Sequence, residues 1–489
     1  MAFSSRCRTF PFPLSITTGR LRQRALSWLS GHHSTAHPAS TRTAGPWLAL
    51  ATCLAGTLVS QTVAAAQPVA QTHAAAQHAT ARPGAQANAT ELAMQPHTAP
   101  AHATLPAHKP GAQRDPLVAP FASDSIWNMP IGSAAQYVHA RLPAIPGNES
   151  WAMMPQLDEE IIVLEPDSPL TPIKHSDAAW SGKDRCDPSG GFLLEVPMPA
   201  DFVIPNSKGN NSAVFLAQDG RTLLQTQPFT RCRAEGIATA LVHFKPVDLY
   251  GDGRYGAHGG SSLSAIGGSL RLGELRPNGT PPRHALKLDL YGKEVFFQCQ
   301  NAANCFRWPA YKGDSGAVGR YGIGHGNVNS NPLRKNPPPF AMRMGALLAI
   351  PAKQNLATLA LETKVGHMLA WTLQNYGAYV VDDAGGPSVA ISAEKGPRGS
   401  FRQQFKEDWG FDFEQRVRAN TPWMRDMQRL VQALHVVDNN GPFSIGGGGT
   451  PLQPLAPELK EPERQHRLKA EVNTNGDMEK TAPKASSPD

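Results

Sequence analysis

The run SAVFLAQDGRTLLQTQPF, residues 212–229, decides the fold class. Two apolar stretches with alternating side chains flank Asp219-Gly220, and an Asp-Gly pair in that setting marks a β-hairpin turn. Working outward, similar short runs recur: FLLEVPM (192–198), ATALVHFKPVDLY (238–250), GGSLRLGEL (267–275), HALKLDLYG (284–292), KEVFFQCQ (293–300) and MRMGALLAIPA (342–352). Gly, Pro and Asn punctuate them, as turns between strands require. A helical period shows only late, over about 355–376 and again over about 401–435. The pattern predicts a mainly β chain, a β-sandwich or jelly-roll-like domain with helices packed in the C-terminal third.

Composition divides the 489 residues. Arg6, Arg8, Arg20, Arg22 and Arg24 precede the apolar run PWLALATCLAGTLVS (46–60), which TVAAAQ follows. A basic region, an apolar core and an Ala-x-Ala-like site make an export signal over 1–66, cleaved near Ala66. The apolar run is shorter than the ~20 residues of a membrane span, so no stable insertion is expected after export. Residues 67–113 are Ala, His, Gln and Pro with too few large apolar side chains to form a core, and read as a disordered tether. A single folded domain is expected over 114–453, with a polar tail over 454–489.

The chain carries 46 Lys/Arg against 39 Asp/Glu, but eight of the bases and one acid precede Arg114. The remainder balances, which argues against a nucleic-acid partner. Cys186, Cys232, Cys299 and Cys305 lie in the folded part, and export places them in an oxidising compartment. The short CQNAANC loop predicts a Cys299–Cys305 bridge, and Cys186–Cys232 follows by exclusion.

The stretch YGDGRYGAHGGSSLSAIGG (250–268) contains G-x-G-x-x-G at Gly251, Gly253 and Gly256. A dinucleotide turn needs a helix directly after it, and AHGGSSLSAIGG has no helical stripe. No cofactor is therefore expected. Asp248 and Asp252 would suit a calcium ion, although a plain Asp-Gly turn accounts for the same residues. The glycines instead let backbone approach something closely beside His258.

Candidate catalytic residues follow from acids, histidines and tyrosines that interrupt the strand pattern: His258, His175, Asp177, Tyr311, Asp382 and Asp383. Arg283, Arg307 and Lys312 could contact a carboxylate, and Trp180 and Trp308 could stack on sugar faces. Together these point to a secreted enzyme that cleaves an extracellular polysaccharide by one of two chemistries. In β-elimination an Arg neutralises a uronate while His258, His175, Tyr311 or Tyr321 moves protons. In hydrolysis two acids flank the scissile bond, chosen from Asp177, Glu274, Asp314, Asp382 and Asp383. The opposing class is a non-catalytic carbohydrate-binding or envelope protein, in which His258 is structural.

Overall fold

The computed structural model describes residues 114–143, 154–323 and 337–459. The expected export signal, the tether and most of the polar tail lie outside the described residues. The strands are β1 (Tyr137–His139), β2 (Met154–Val163), β3 (Leu170–His175), β4 (Phe192–Pro197), β5 (Ala213–Leu216), β6 (Thr222–Gln227), β7 (Ala238–Ala240) and β8 (Val242–His243). They continue as β9 (Val247–Asp248), β10 (Tyr255–His258), β11 (Leu286–Leu290), β12 (Leu347–Ala349), β13 (Ala378–Asp383), β14 (Ser388–Gly396), β15 (Gly399–Ser400) and β16 (His435–Val437). The helices are α1 (Gly292–Val295), α2 (Ala317–Arg320), α3 (Lys364–Asn375), α4 (Phe401–Trp409) and α5 (Pro422–Ala433).

The hairpin forms as the sequence predicts: β5 and β6 pair antiparallel from Ala213↔Thr226 to Leu216↔Leu223. Asp219 closes its turn by accepting hydrogen bonds from the amides of Arg221 and Thr222, and Gly220 takes φ +65°. From this hairpin a twelve-stranded sheet extends in the order β8-β6-β5-β2-β14-β11-β13-β12-β16-β1, with β9 on β6 and β15 on β14. A three-stranded sheet, β4-β3-β7, accompanies it.

The mainly β expectation therefore holds. Parallel ladders join β2 to β5, β14 to β2 and β11 to β13, which the antiparallel sandwich or jelly roll anticipated from strand spacing does not contain. Such neighbours need crossover connections rather than tight turns. GGSLRLGEL contributes only a bridge, Leu270↔Ala393, because Gly267 and Gly268 lie flat against the Trp127 indole. KEVFFQCQ does not open as a strand: the Gly292 amide donates to the Asp383 carboxylate (2.8 Å), and the turn of α1 follows.

Alternation along the central strands separates two faces. Leu286, Leu288 and Leu290 of β11 and Val389, Ile391 and Ala393 of β14 enter a core shared with Met368 of α3, Phe405 of α4 and Trp423 of α5. The two late helical periods are thus realised in three helices, each started by a Thr or Ser cap at Thr363, Ser400 or Thr421. On the opposite face a second core gathers Ile162, Val214, Tyr379 and Val381 under Phe121, Trp127 and β10. Asp158 and Glu160 of β2, Lys287 and Asp289 of β11 and Ser392 of β14 point to this second face, whereas Glu159 meets Lys395 and Ser400 on the other. Residues past 453 remain part of the domain, since the Arg114 amide donates to the Glu458 carbonyl (3.2 Å).

Both disulfides form as expected, Cys186–Cys232 and Cys299–Cys305, and they fit a secreted protein. No helix among the described residues is long and apolar enough to cross a membrane.

Candidate active site

A band of charge crosses the middle of the large sheet. Asp158 and Glu160 alternate on β2, Lys287 and Asp289 on β11, and Ser392 of β14 pairs with Asp158. Asp382 reaches the same face through a register shift. The parallel β11/β13 ladder runs regularly to Leu288↔Val380, then skips Val381 and resumes at Asp289↔Asp382. In a regular ladder Asp382 would point into the helix-side core with Leu290. The bulge turns it beside Asp289.

His258, at the end of β10, sits fully buried over this band. Its Nε2 lies 2.7 Å from Glu160 Oε1, 3.2 Å from Ser392 Oγ and 3.7 Å from both Asp158 Oδ2 and Asp289 Oδ1. Its Nδ1, 3.9 Å from Asp382 Oδ2, has no hydrogen-bond partner. Lys287 Nζ donates to Glu160 (3.3 Å) and to the carbonyls of Ser264 and Ala265 (2.9 Å each). Burial opposes ionisation of Glu160, yet Lys287 and His258 override it and hold that carboxyl below its ordinary value. Glu160 is then an acceptor only, so His258 donates through Nε2–H and turns Nδ1 toward Asp382.

The other carboxyls move the opposite way. Burial pushes Asp289 well above the ordinary aspartate value, with Asp158, Asp382 and Glu160 adding repulsion. Burial and Glu160 raise Asp158, while His258 and hydrogen bonds from Asn210 and Asp289 pull it back. Asp289 is thus the more strongly raised of the two. Asp382 is pushed up to about 7 by burial and by Asp314, against the pull of His258 and of two backbone amides. Asp314, raised by its own burial, accepts a 2.5 Å hydrogen bond from the Tyr321 hydroxyl.

The glycine-rich stretch is the lid of this arrangement. After Gly251, Gly253 and Gly256 the chain forms β10 and a turn, not a helix. Gly259 takes φ +29°, and a Cβ there would fall 1.7 Å from Asp382 Oδ2; one at Gly260 would fall 2.6 Å from Asp314 Oδ1. The Gly260 amide donates to Asp382 Oδ1 (3.0 Å), and the Ser261 amide donates to the carbonyl of the bulged Val381 (3.2 Å). What stands against His258 and its glycines is carboxylate on every side.

Asp158, with its side chain 16 % exposed, and Asp382, at 8 %, are the carboxyls of the band nearest solvent. Asn210 Nδ2 spans them, donating to Asp158 Oδ2 and to Asp382 Oδ2 at 3.1 Å each. Those two contacts bound the separation of the carboxylate oxygens at about 6 Å, close to the spacing of retaining glycosidases. At the rim, the exposed Tyr311 donates its amide to the Ser261 carbonyl (3.0 Å), and its hydroxyl accepts from Arg254 (2.8 Å). Lys312 follows it and its charge acts on Asp314.

The structure brings His258, Asp382, Tyr311 and Lys312 together, with Asp383 adjoining through its ion pair to Arg320. The remaining expected residues stand elsewhere. His175 packs on Gly190 at the end of β3, and the exposed Asp177 donates its amide to Ser189 Oγ (2.8 Å). Arg307 is bound to Asp438, and Arg283 stacks on Trp371. Glu274 is held by His284 at 3.1 Å. Trp308 packs against the second core, whereas Trp180 is 50 % exposed on the small-sheet side of Arg185.

Asp158, Glu160, Lys287, Asp289, Ser392 and Asn210 were not expected. Their strands β2 and β14 mix charges into apolar runs; the available signal was the alternation Asp158-x-Glu160 and Lys287-x-Asp289. For cations, Asp158, His258 and Asp289 bring ligand atoms within 4.8 Å of one another, with His258 Nε2 already engaged by Glu160 at 2.7 Å. Asp184, Cys186 and Cys232 also cluster, with both sulfurs consumed by the disulfide. Asp248 and Asp252 are employed in turns, Asp248 on Arg221 and the Tyr250 amide, Asp252 on the Arg254 amide. Comparison with protein-family models, with curated proteins and with solved structures finds no match for the chain.

Proposed function

We propose that this chain is an exported glycoside hydrolase acting on an extracellular polysaccharide, with Asp382 as general acid and base and Asp158 as nucleophile. The observation that carries the reading is the Asn210 bridge, which holds two carboxyls with their oxygens at most about 6 Å apart, a range that includes the retaining pair. Asp382 keeps its proton to about pH 7 and is shielded by the Gly259–Gly260 turn. Asp158, its side chain 16 % exposed, would attack as carboxylate, and the more strongly raised Asp289 beside it would hold the proton. Asp382 would protonate the glycosidic oxygen as its bond to the anomeric carbon breaks and Asp158 adds to that carbon. Water, deprotonated by Asp382, would then displace Asp158 and restore both groups. Lys287 and Glu160 fix His258, and the amides of Gly260 and Asp383 hold Asp382 through its Oδ1.

Elimination suits this site less well. It needs a free cation against the uronate carboxylate of the reacting ring, and the buried cation of this band, Lys287, is committed to Glu160 and two carbonyls. Export through the basic and apolar N-terminal segment, with cleavage near Ala66, would place the activity in the oxidising space that the two disulfides suit.

The test is release of reducing ends from a polysaccharide panel, with the anomer formed first read by NMR. Asp382→Asn and Asp158→Asn should each lower kcat/KM by at least about 10³-fold, and Asp158→Ala should regain turnover with azide as a glycosyl azide product. Full activity in both Asn variants, or an unsaturated product absorbing near ~235 nm from general-base proton abstraction, would overturn the reading.

A further inference from the structure

Beside Asn210 lies a pocket of a different electrical character. It encloses about 200 Å³ and is lined by Trp180, Lys183, Arg185, Asn206, Ser207 and Lys208, with no carboxylate among its lining residues. That volume falls below the ~300–1,000 Å³ of pockets for drug-sized ligands and suits a single ring. Trp180 is 50 % exposed although it is the largest apolar side chain of the group. Lys183 and Lys208 are exposed, so their charges face the pocket mouth.

Arg185 is the deepest member, only 2 % exposed. Its Nε donates to the Ala179 carbonyl (2.5 Å) and its Nη1 to the Gly209 carbonyl (2.8 Å). Its Nη2, equally buried, has no hydrogen-bond partner among the described residues. A desolvated guanidinium with one unmatched N–H pair is a costly arrangement that an incoming anion would relieve. The loop is also held in place from both sides. The Cys186–Cys232 bridge begins at the next residue, the Thr239 hydroxyl donates to the Arg185 carbonyl (2.5 Å), and the Arg185 amide donates to Asn206 (3.3 Å).

Position gives this pocket its meaning. Lys208 lines it, and two residues on, within about 7 Å of backbone, Asn210 spans Asp158 and Asp382. We infer that the Trp180–Arg185–Lys208 pocket is a subsite for an anionic sugar residue, a uronate or a sulfate ester, next to the ring whose bond is cleaved. The inference rests on the hydrolase reading of Asp158 and Asp382 and names its substrate class. The indole offers the stacking face, and the two lysines with Arg185 Nη2 meet the carboxylate or sulfate.

The experiment is calorimetric binding to the full chain carrying Asp382→Asn, using trigalacturonate, a sulfated trisaccharide and neutral maltotriose. Both anionic ligands, or one of them, should bind at least about tenfold tighter than maltotriose, and the tighter of the two identifies the anion. Affinity should fall severalfold between 0.05 and 0.5 M salt, about the range over which screening removes exposed attraction. Trp180→Ala should weaken binding about fivefold. Lys183→Gln with Lys208→Gln, both exposed and so harmless to folding, should erase the preference over maltotriose. Equal affinity for neutral and anionic ligands, or unchanged binding in both variants, would overturn the subsite. Anion-selective binding in a wild-type chain that cleaves no glycan would leave the subsite standing and sink the hydrolase reading. Cleavage of neutral glycans without anion preference would do the reverse.

Discussion

Replacing Asp382 by Asn should change how stability depends on pH, not only activity. The folded chain holds the Asp382 proton to about pH 7, whereas an aspartate in the unfolded chain releases it near the ordinary 3.8. Between those values the native state binds the extra proton, so stability falls as pH rises and the loss is complete above about 7. At roughly 1.4 kcal/mol per pH unit, the cost of that displacement is of order 4 kcal/mol. The side chain is only 8 % exposed, so solvent screening does little to reduce it. Asn keeps the shape and can still accept from the amides of Gly260 and Asp383 through Oδ1, but it has no proton to lose. Urea unfolding of both proteins at pH 3.5, 5.5 and 8 reads the group together with its coupled neighbours Asp314 and Asp289, while the titrations of distant groups cancel in the difference. The wild type minus Asp382→Asn difference should fall by several kcal/mol from pH 3.5 to pH 8, most of it between 4 and 7. A difference that stays flat across that range would refute the assignment of a neutral Asp382.

Lys287→Met should destabilise the fold by about 3–5 kcal/mol, because it strands the buried Glu160 charge and two carbonyls, and urea midpoints will register it. Gly259→Ala should abolish activity and cost a few kcal/mol, since its Cβ has no room beside the Asp382 carboxylate; Gly385→Ala, in open space, should alter neither measurement. Removing the Cys186–Cys232 bridge, which spans 46 residues, should cost about 4 kcal/mol, against about 2 kcal/mol for the six-residue Cys299–Cys305 loop. Reduction followed by thermal melting of Ser-for-Cys double variants ranks the two.

The hairpin at 212–229, the Cys299–Cys305 bridge and two late helical stretches could be read from local signals, Asp-Gly, a short Cys loop and a 3.6-residue period, and Cys186–Cys232 followed by exclusion. The central sheet could not. Its key strands pair in parallel over long separations, and β2 and β14 carry Asp158, Glu160, Ser392 and Glu394 where an interior strand is ordinarily apolar. Local reasoning takes such residues for surface. His258 and Asp382 were found because a histidine amid glycines and an Asp-Asp pair ending an apolar run are conspicuous. Asp289 was hidden inside LKLDL, where alternation reads as an ordinary half-exposed strand. Arg283, Arg307, His175 and Asp177 stand apart from the band, each in contact with Trp371, Asp438, Gly190 or Ser189, which spacing along the chain does not reveal.

The skipped Val381 has a consequence for how the molecule reaches its native state. A chain pairing β11 with β13 without the slip would satisfy the same ladder hydrogen bonds, yet it would bury Asp382 among leucines and leave Asp289 opposite a valine. The two registers are competitors, and only one of them gathers the carboxyls into mutual repulsion. Each register takes Asp382 out of water, so protonation eases both, and acid alone does not choose between them. The Ser261 amide, bonded to the carbonyl of the skipped Val381, ties the glycine lid to the slipped register.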